Sequence, residues 1–324
     1  MRKRRQKRAE IIPFILELSK ERISAGRVSS GHTYRALATL LLRFGCDTSM
    51  CMDDITPDYL KRVLWFMKSQ RLSPNSVALY FRLLKSAYNM ADEQELISAG
   101  RDPFRHIRVK TEKTDKRAVG KSAILKLVDL DLAGSDALSL CREMFLFSFF
   151  ARGMPFVDIV FLRVSDIKGD VIAYRRRKTG RKMSVKVSSQ LREIIERVPH
   201  KKGYLFPVLD PESDIPLYTQ YKTALRAHNR SLEQLSRMAE IGQRVTSYVA
   251  RHTWATIAKK SGIPVSVISE GLGHSDEKTT NIYLDSFKDG TVDRANEIVT
   301  DLYSDNEYRF ICNKETFRGG DGDE

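Results

Sequence analysis

Cysteine is scarce in this chain: Cys46, Cys51, Cys141 and Cys312 are scattered along it. They set up neither a disulfide framework nor paired metal ligands, and a reduced, cytoplasmic protein is the expectation. Long apolar runs are also missing. No stretch of about 18 apolar residues occurs, which leaves no candidate for a membrane-spanning helix. The apolar segment Ile11-Ile12-Pro13-Phe14-Ile15-Leu16 follows a basic start but runs at once into Glu17 and Lys20. No small-residue cleavage site comes after it, so it is not read as a secretory signal. Internal repeats and low-complexity tracts are lacking. So is a nucleotide-binding loop: Gly120-Lys121-Ser122 has the ending of one, but Asp115 stands where its first glycine belongs. Ser122 is instead expected to cap a helix from Ala123 to Val128.

What the chain has in excess is positive charge. Lys and Arg number 55 against 41 Asp and Glu, a formal +14. Such a balance favours a polyanion, with nucleic acid ahead of an anionic membrane because phosphates take up Lys and Arg directly. A hydrophobic share of 42% over 324 residues is enough for two domains, each with its own core.

The first hundred residues read as a helical domain. From Thr33 to Phe44 an apolar face repeats at Tyr34, Leu37, Ala38, Leu41 and Phe44, and Gly45 stops it. Thr56-Pro57 and Ser73-Pro74 each pair an N-cap with proline at the first helical position. Behind them come Leu60, Val63, Leu64 and Met67, then Val77, Tyr80, Phe81, Leu84 and Tyr88. The faces between these stripes carry Arg35, Lys61, Arg62, Arg82 and Lys85, the candidate DNA-binding residues of this half. We divide the chain into a basic arm (1–10), this helical domain (11–104), a charged linker (105–117), a second domain (118–304) and a polar tail (305–324).

The second domain is mostly helical, with one hairpin. Leu138 to Ala151 is an apolar helix broken at Gly153 and restarted after Pro155. Val171 to Tyr174 and Met183 to Val187 read as two strands joined by a turn at Thr179-Gly180. Helices follow at about Ser189 to Arg197, Tyr218 to Ile241, Thr246 to Lys260 and Val265 to Gly271. The fold class is therefore mainly α with a small antiparallel β-sheet.

The residues able to do chemistry cluster late. Leu272-Gly273-His274 closes one helix, Ser275 is placed to cap the next, and Tyr283 follows the histidine by nine residues. Upstream lie Tyr248-Val249-Ala250-Arg251-His252-Thr253-Trp254-Ala255 on a helix and Lys178 at the hairpin tip. Taken singly, each has a plainer account. Tyr283 reads as a half-buried helix tyrosine, Lys178 as part of a solvated Arg175–Lys178 edge, His252 as structural, and Asp158 as a residue that orients a neighbour. Phe145, Phe147, Phe149 and Phe150 read as core.

The ordered set of motifs resembles the tyrosine recombinase, or phage integrase, family over most of the chain. Residues 153–159 and 246–252 look most like the integrases of Bacteroidetes mobile elements. The resemblance implies a SAM-like core-binding domain followed by a catalytic domain that cleaves and rejoins DNA without a cofactor or metal. By that analogy Tyr283 attacks phosphorus to leave a 3′-phosphotyrosine, Arg251 clamps the nonbridging oxygens, His274 hydrogen-bonds one of them, and Lys178 protonates the leaving 5′-oxygen. The implied partners are double-stranded DNA with inverted half-sites, further copies of the chain forming a tetramer on it, and an accessory DNA-bending protein. Membrane is not among them, and the expected location is the cytoplasm, on the nucleoid when DNA-bound.

Two positions depart from the family pattern. Pro155 stands where its first catalytic arginine belongs. Arg176 is favoured as the replacement because period-two alternation would put it on the same face as Lys178; Arg152, a turn before Pro155, is the alternative. Tyr248 stands where the family has a histidine, and an ordinary phenol, with a pKa of about 10, is a poor base at neutral pH. The same departures leave open a DNA-binding architectural protein that has lost catalysis, while a type IB topoisomerase would share the chemistry.

Overall fold

The computed structural model describes residues 8–98, 102–112, 118–274 and 276–281. The basic start to residue 7, Ser275, Tyr283, the apolar residues Ala295, Ile298, Val299 and Leu302, which fall at helical spacing in the sequence, and the polar tail lie outside the described residues. The chain divides into two compact units, Met1–Asp115 and Lys116–Glu324. Among the described residues no helix is long and apolar enough to cross a membrane.

The first unit holds four α-helices, α1 (Ile11–Ser24), α2 (Val28–Phe44), α3 (Pro57–Ser69) and α4 (Pro74–Glu93). The cap signals act as their residue types dictate. The Thr56 hydroxyl accepts from the Tyr59 N–H at 3.1 Å and Ser73 from the Ser76 N–H at 3.2 Å, with a proline opening each helix. Helix α2 ends at Gly45 as expected but starts earlier than its apolar stripe, at Val28. Helix α1 was not anticipated, since Glu10 makes no side-chain cap and Pro13 interrupts the apolar run. Its start is held instead by backbone pairing: the Ile11 N–H donates to the Met50 carbonyl at 2.8 Å and the Met52 N–H to that of Ala9 at 2.8 Å. That supplies one partner for the first-turn donors every helix leaves open, and Pro13 in the same turn has no N–H to lose. One core forms from Ile11, Ile15, Leu37, Leu41, Leu60, Val63, Met67 and Leu84, all buried. The stretch to 112 also runs along this unit, where Ile107 and Val109 pack on the core and Asn75 exchanges two hydrogen bonds with the Glu112 backbone.

The second unit opens with α5 (Lys121–Val128), α6 (Asp136–Phe150) and α7 (Phe156–Val160). Ser122 does not cap α5; the helix begins one residue before it, with the extended Gly120 as N-cap and its carbonyl accepting from Ala123 at 3.1 Å. Three short strands follow, β1 (Ile167–Lys168), β2 (Val171–Arg175) and β3 (Lys182–Lys186), antiparallel in the order β1-β2-β3. Ile172 pairs with Val185, and both point into the core. Helices α8 (Ser189–Arg197), α9 (Leu217–Met238), α10 (Val249–Lys260), α11 (Val265–Leu272) and α12 (Glu277–Asn281) complete the unit. Phe145, Phe147 and Phe206 lie fully buried, Phe147 edge-on to Phe206 at 5.2 Å. Buried Glu143 accepts from Arg142 at 3.3 Å and from Arg197 at 3.0 Å, which ties α6 to α8. A smaller cluster, Ala255, Ala258, Ile268 and Leu272, joins α10 to α11.

Replacing Thr56 by Ala should lower stability to urea by about 1 kcal/mol, whereas Thr56→Ser should keep most of it. An unchanged unfolding midpoint for the alanine variant would mean the α3 cap contributes nothing.

Candidate active site

The site is built where helices end. The last carbonyls of a helix have no partner within it and carry the negative end of the helix dipole, so a cation set there is held twice over. Helix α11 ends at Leu272 and Gly273, and two arginines from distant parts of the chain meet these carbonyls. Arg251, on α10, donates from Nη2 to the Leu272 carbonyl at 2.6 Å and from Nη1 to the Gly153 carbonyl, just past α6, at 2.8 Å. Arg176, at the end of β2, donates from Nη1 to Leu272 at 2.9 Å and to Gly273 at 3.3 Å. Both guanidinium groups are buried, Arg251 with 2% and Arg176 with 7% of its surface exposed.

Two glycines make this convergence possible. Gly153 has φ +69, and a Cβ on it would lie 2.7 Å from the Arg251 Cα. Gly273 has φ +68, and its Cβ would meet the Met183 sulfur at 2.7 Å and the Arg176 Cδ at 3.1 Å. Both positions thus require a left-handed backbone and the absence of a side chain.

Buried cations need counter-charge. Asp158, on α7, supplies it: its Oδ2 lies 3.4 Å from the Arg176 Nε, while Oδ1 accepts the Arg177 N–H at 2.9 Å. Burial pushes the Asp158 carboxyl up, and the Arg177 N–H and the Arg176 charge pull it back. Asp158 therefore orients a neighbour, as its sequence position suggested.

His274 completes the cluster. Its Nε2 is 2.9 Å from the Arg251 Nη2, and its Nδ1 is 2.8 Å from the Thr280 hydroxyl. A guanidinium only donates, so Nε2 must accept, and the ring proton sits on Nδ1 and points to Thr280. Burial first, then Arg251 and Arg176, push the ring's pKa down to about 4, so it is neutral at pH 7. Arg181 carries no motif that marks it in the sequence. Its Nη1 donates to the His274 carbonyl at 2.6 Å. Only the pairing of its own backbone with Arg176 across the hairpin, at 2.8 Å, brings it there.

The expected residues fare differently. Arg176 does face inward, in line with Ile172 and Tyr174 on the inner side of β2. Lys178 does not share that face, because the strand stops at Arg175 and Arg177-Lys178-Thr179 form an exposed turn. Lys178 still lies close enough for its charge to act on His274. Arg152 takes a left-handed backbone, φ 59, and donates to the Ser184 carbonyl of β3 at 3.4 Å, away from the α11 carbonyls that hold Arg176. Tyr248 is the N-cap residue of α10, 43% exposed, with its ring edge-on to His252 at 5.4 Å. Tyr283 is outside the described residues. In the first unit Arg35, Lys61, Arg62 and Arg82 are exposed, whereas Lys85 is drawn to Asp102 at 3.2 Å and lies over the Phe104 ring.

Comparison with known proteins agrees across both units. The model of the phage integrase family matches residues 124–289, and that of the phage integrase SAM-like domain matches residues 10–109. Among curated proteins, tyrosine recombinase XerD of Halalkalibacterium halodurans is 24% identical over 235 residues, covering 71% of this chain and 77% of that protein. Tyrosine recombinase XerC of a Shewanella species is 24% identical over 242 residues, covering 70% and 74%. Among solved structures, the Tn1549 transposon integrase in complex with a circular intermediate DNA has a TM-score of 0.63 at 16% identity, covering 89% of this chain and 99% of that one. A lambda integrase dimer bound to a COC' core site has a TM-score of 0.63 at 14% identity, covering 88% and 81%.

Two histidines set an acid limit on stability. His274 is pushed down to about 4, and His228, buried beside Phe156, to about 3. An unfolded chain takes up these protons near the ordinary value of 6.5, the folded one only much lower. The part of the stability that these two rings carry is therefore full above about pH 6.5 and declines as the pH falls toward 4 for His274 and toward 3 for His228. The raised carboxyl of Asp158 acts in the opposite sense, so the difference between wild type and His274→Gln isolates the ring. Urea midpoints followed from pH 7 to pH 4 should fall less steeply for the variant; parallel curves would contradict the assignment.

Proposed function

Because the chain belongs to the phage integrase family, the tyrosine recombinases, we propose that it cuts and rejoins DNA by site-specific recombination through a 3′-phosphotyrosine formed by Tyr283. The observation that carries this reading is the meeting of Arg251, Arg176 and His274, from three separate stretches of chain, at the end of α11. Attack on a phosphodiester spreads negative charge over the nonbridging oxygens, and fixed guanidinium donors in a buried site are suited to stabilise it.

In this reading the Tyr283 phenol gives up its proton to solvent water, its phenolate favoured by the neighbouring cations, and the phenolate oxygen bonds to phosphorus as the bond from phosphorus to the 5′-oxygen breaks. The departing oxygen takes a proton from the Lys178 ammonium, which the exposed hairpin turn can bring to it. Arg176 fills the part left vacant by Pro155, and Asp158 keeps its guanidinium oriented. His274 reaches a nonbridging oxygen as a donor once Arg251 turns its N–H from the ring to the phosphate and the ring proton moves to Nε2. Tyr248, in the place of a histidine, hydrogen-bonds the phosphate or the nucleophile rather than accepting its proton. The bond energy stays in the phosphotyrosine, so the free 5′-hydroxyl of another strand can reverse the step without ATP. Inverted half-sites, a tetramer on DNA and an accessory bending protein are the partners that this function calls for, with integration, excision or inversion of a DNA segment as the outcome.

A nicked suicide duplex built from repeats flanking the gene tests the reading. The wild type should form a covalent protein–DNA adduct, and Tyr283→Phe should form none. Binding without any adduct from the wild type would mean an architectural protein on the same fold. Lys178→Ala should slow cleavage at least about 100-fold on the normal substrate. It should recover on one whose leaving 5′-oxygen is replaced by sulfur, which needs no proton; no recovery would remove Lys178 as the acid.

A further inference from the structure

Helix α3 turns about 100° per residue, which sorts its side chains into two faces. Tyr59, Leu60, Val63 and Met67 are buried in the core of the first unit. On the opposite side, Lys61, Arg62, Trp65 and Lys68 are exposed, and the same turn angle puts Trp65 at the centre, within roughly 60° of each cation. Trp65 is 73% exposed. The chain's other tryptophan, Trp254, behaves as tryptophans usually do, packing against Gly271 and the α10–α11 cluster.

A lone exposed apolar side chain needs no explanation. An indole set in the middle of a basic helix face is another matter, because it forgoes most of the burial that a large ring offers. Among the described residues no Lys or Arg is seated over its ring. Lys61 instead reaches Asp58 at 3.0 Å, and Asp58 is the one carboxylate on this face of α3.

We propose that Trp65 is a DNA-contact residue, its indole packing on the sugar and base edges of a duplex while Lys61, Arg62 and Lys68 hold the flanking phosphates. The proposal rests on the DNA-acting function above and adds an apolar contact to it. Charge chooses the occupant. A protein surface laid over Trp65 would strip water from three cations, whereas a duplex presents phosphates to them. A helix fits the major groove, where a ring at the centre of its face meets thymine methyl groups and deoxyribose.

The test uses the full chain, a duplex of about 30 base pairs and the indole as reporter. Trp65→Ala should bind roughly tenfold more weakly, with the slope of affinity against salt unchanged because no phosphate contact is lost. Arg62→Ala should instead reduce that slope by about one. In a Trp254→Phe background the remaining indole should be quenched readily by acrylamide in the free protein and become shielded on the duplex. Trp65 is surface-exposed, so its alanine variant should keep the wild-type unfolding midpoint. Unchanged affinity of Trp65→Ala, with the indole still accessible on DNA, would overturn the proposal and leave the recombinase reading standing. Lost self-association with intact DNA binding would overturn it in favour of a second copy as the occupant. If the wild type bound no duplex at all, the functional reading itself would fail.

Discussion

The second unit depends on one arrangement: two buried guanidinium groups sharing the carbonyl that ends α11. Charged groups at such depth are costly unless every donor has somewhere to go. Here the main acceptors are the carbonyls of Leu272 and Gly273 that end α11, which need donors for their own part, with the Gly153 carbonyl, the His274 ring and the Asp158 carboxylate completing the set. Arg251 fastens the ends of α6 and α11 together, and Arg176 brings the hairpin onto the same point. Each side solves the other's problem, so the site and the packing of its unit are a single construction. The αL glycines at 153 and 273 follow from it, since no other residue lets the backbone come so near the two arginines.

The same geometry explains how the site is poised. Carbonyls, His274 and Asp158 hold the two cations in a fixed orientation, the preorganisation that the proposed reaction calls for. Burial, helped by the two cations, keeps His274 neutral, and the Arg251 donor determines which of its nitrogens carries the proton. Lys178 stands apart from this rigid core on an exposed turn.

Much of this was legible where a residue type has only one local use. Thr56-Pro57 and Ser73-Pro74 start helices, Gly45 stops one, and alternation from Ile172 to Arg176 carries the arginine inward. The spacing of His274 behind Leu272-Gly273 marked the helix end on which the site is built. What could not be read depends on contacts between distant segments. Helix α1 starts on backbone bonds to Met50, strand β1 is two residues long, and Arg181 looks like any surface cation until the hairpin closes. Lys178 lies off the inner face because the strand ends at Arg175, and the end of a strand is invisible to a period-two argument. Ser122 lost its capping role to the residue before Lys121, as an extended glycine serves as N-cap without offering a side chain.

In the proposed function Arg176, and not Arg152, stands in for the arginine that Pro155 displaces. Single-turnover strand cleavage at saturating DNA measures this most directly. Arg176→Ala should cleave at least about 100-fold more slowly than the wild type at undiminished DNA occupancy, with Arg152→Ala within a few-fold of it. Full cleavage by Arg176→Ala, or collapse of cleavage in Arg152→Ala alone, would contradict the account.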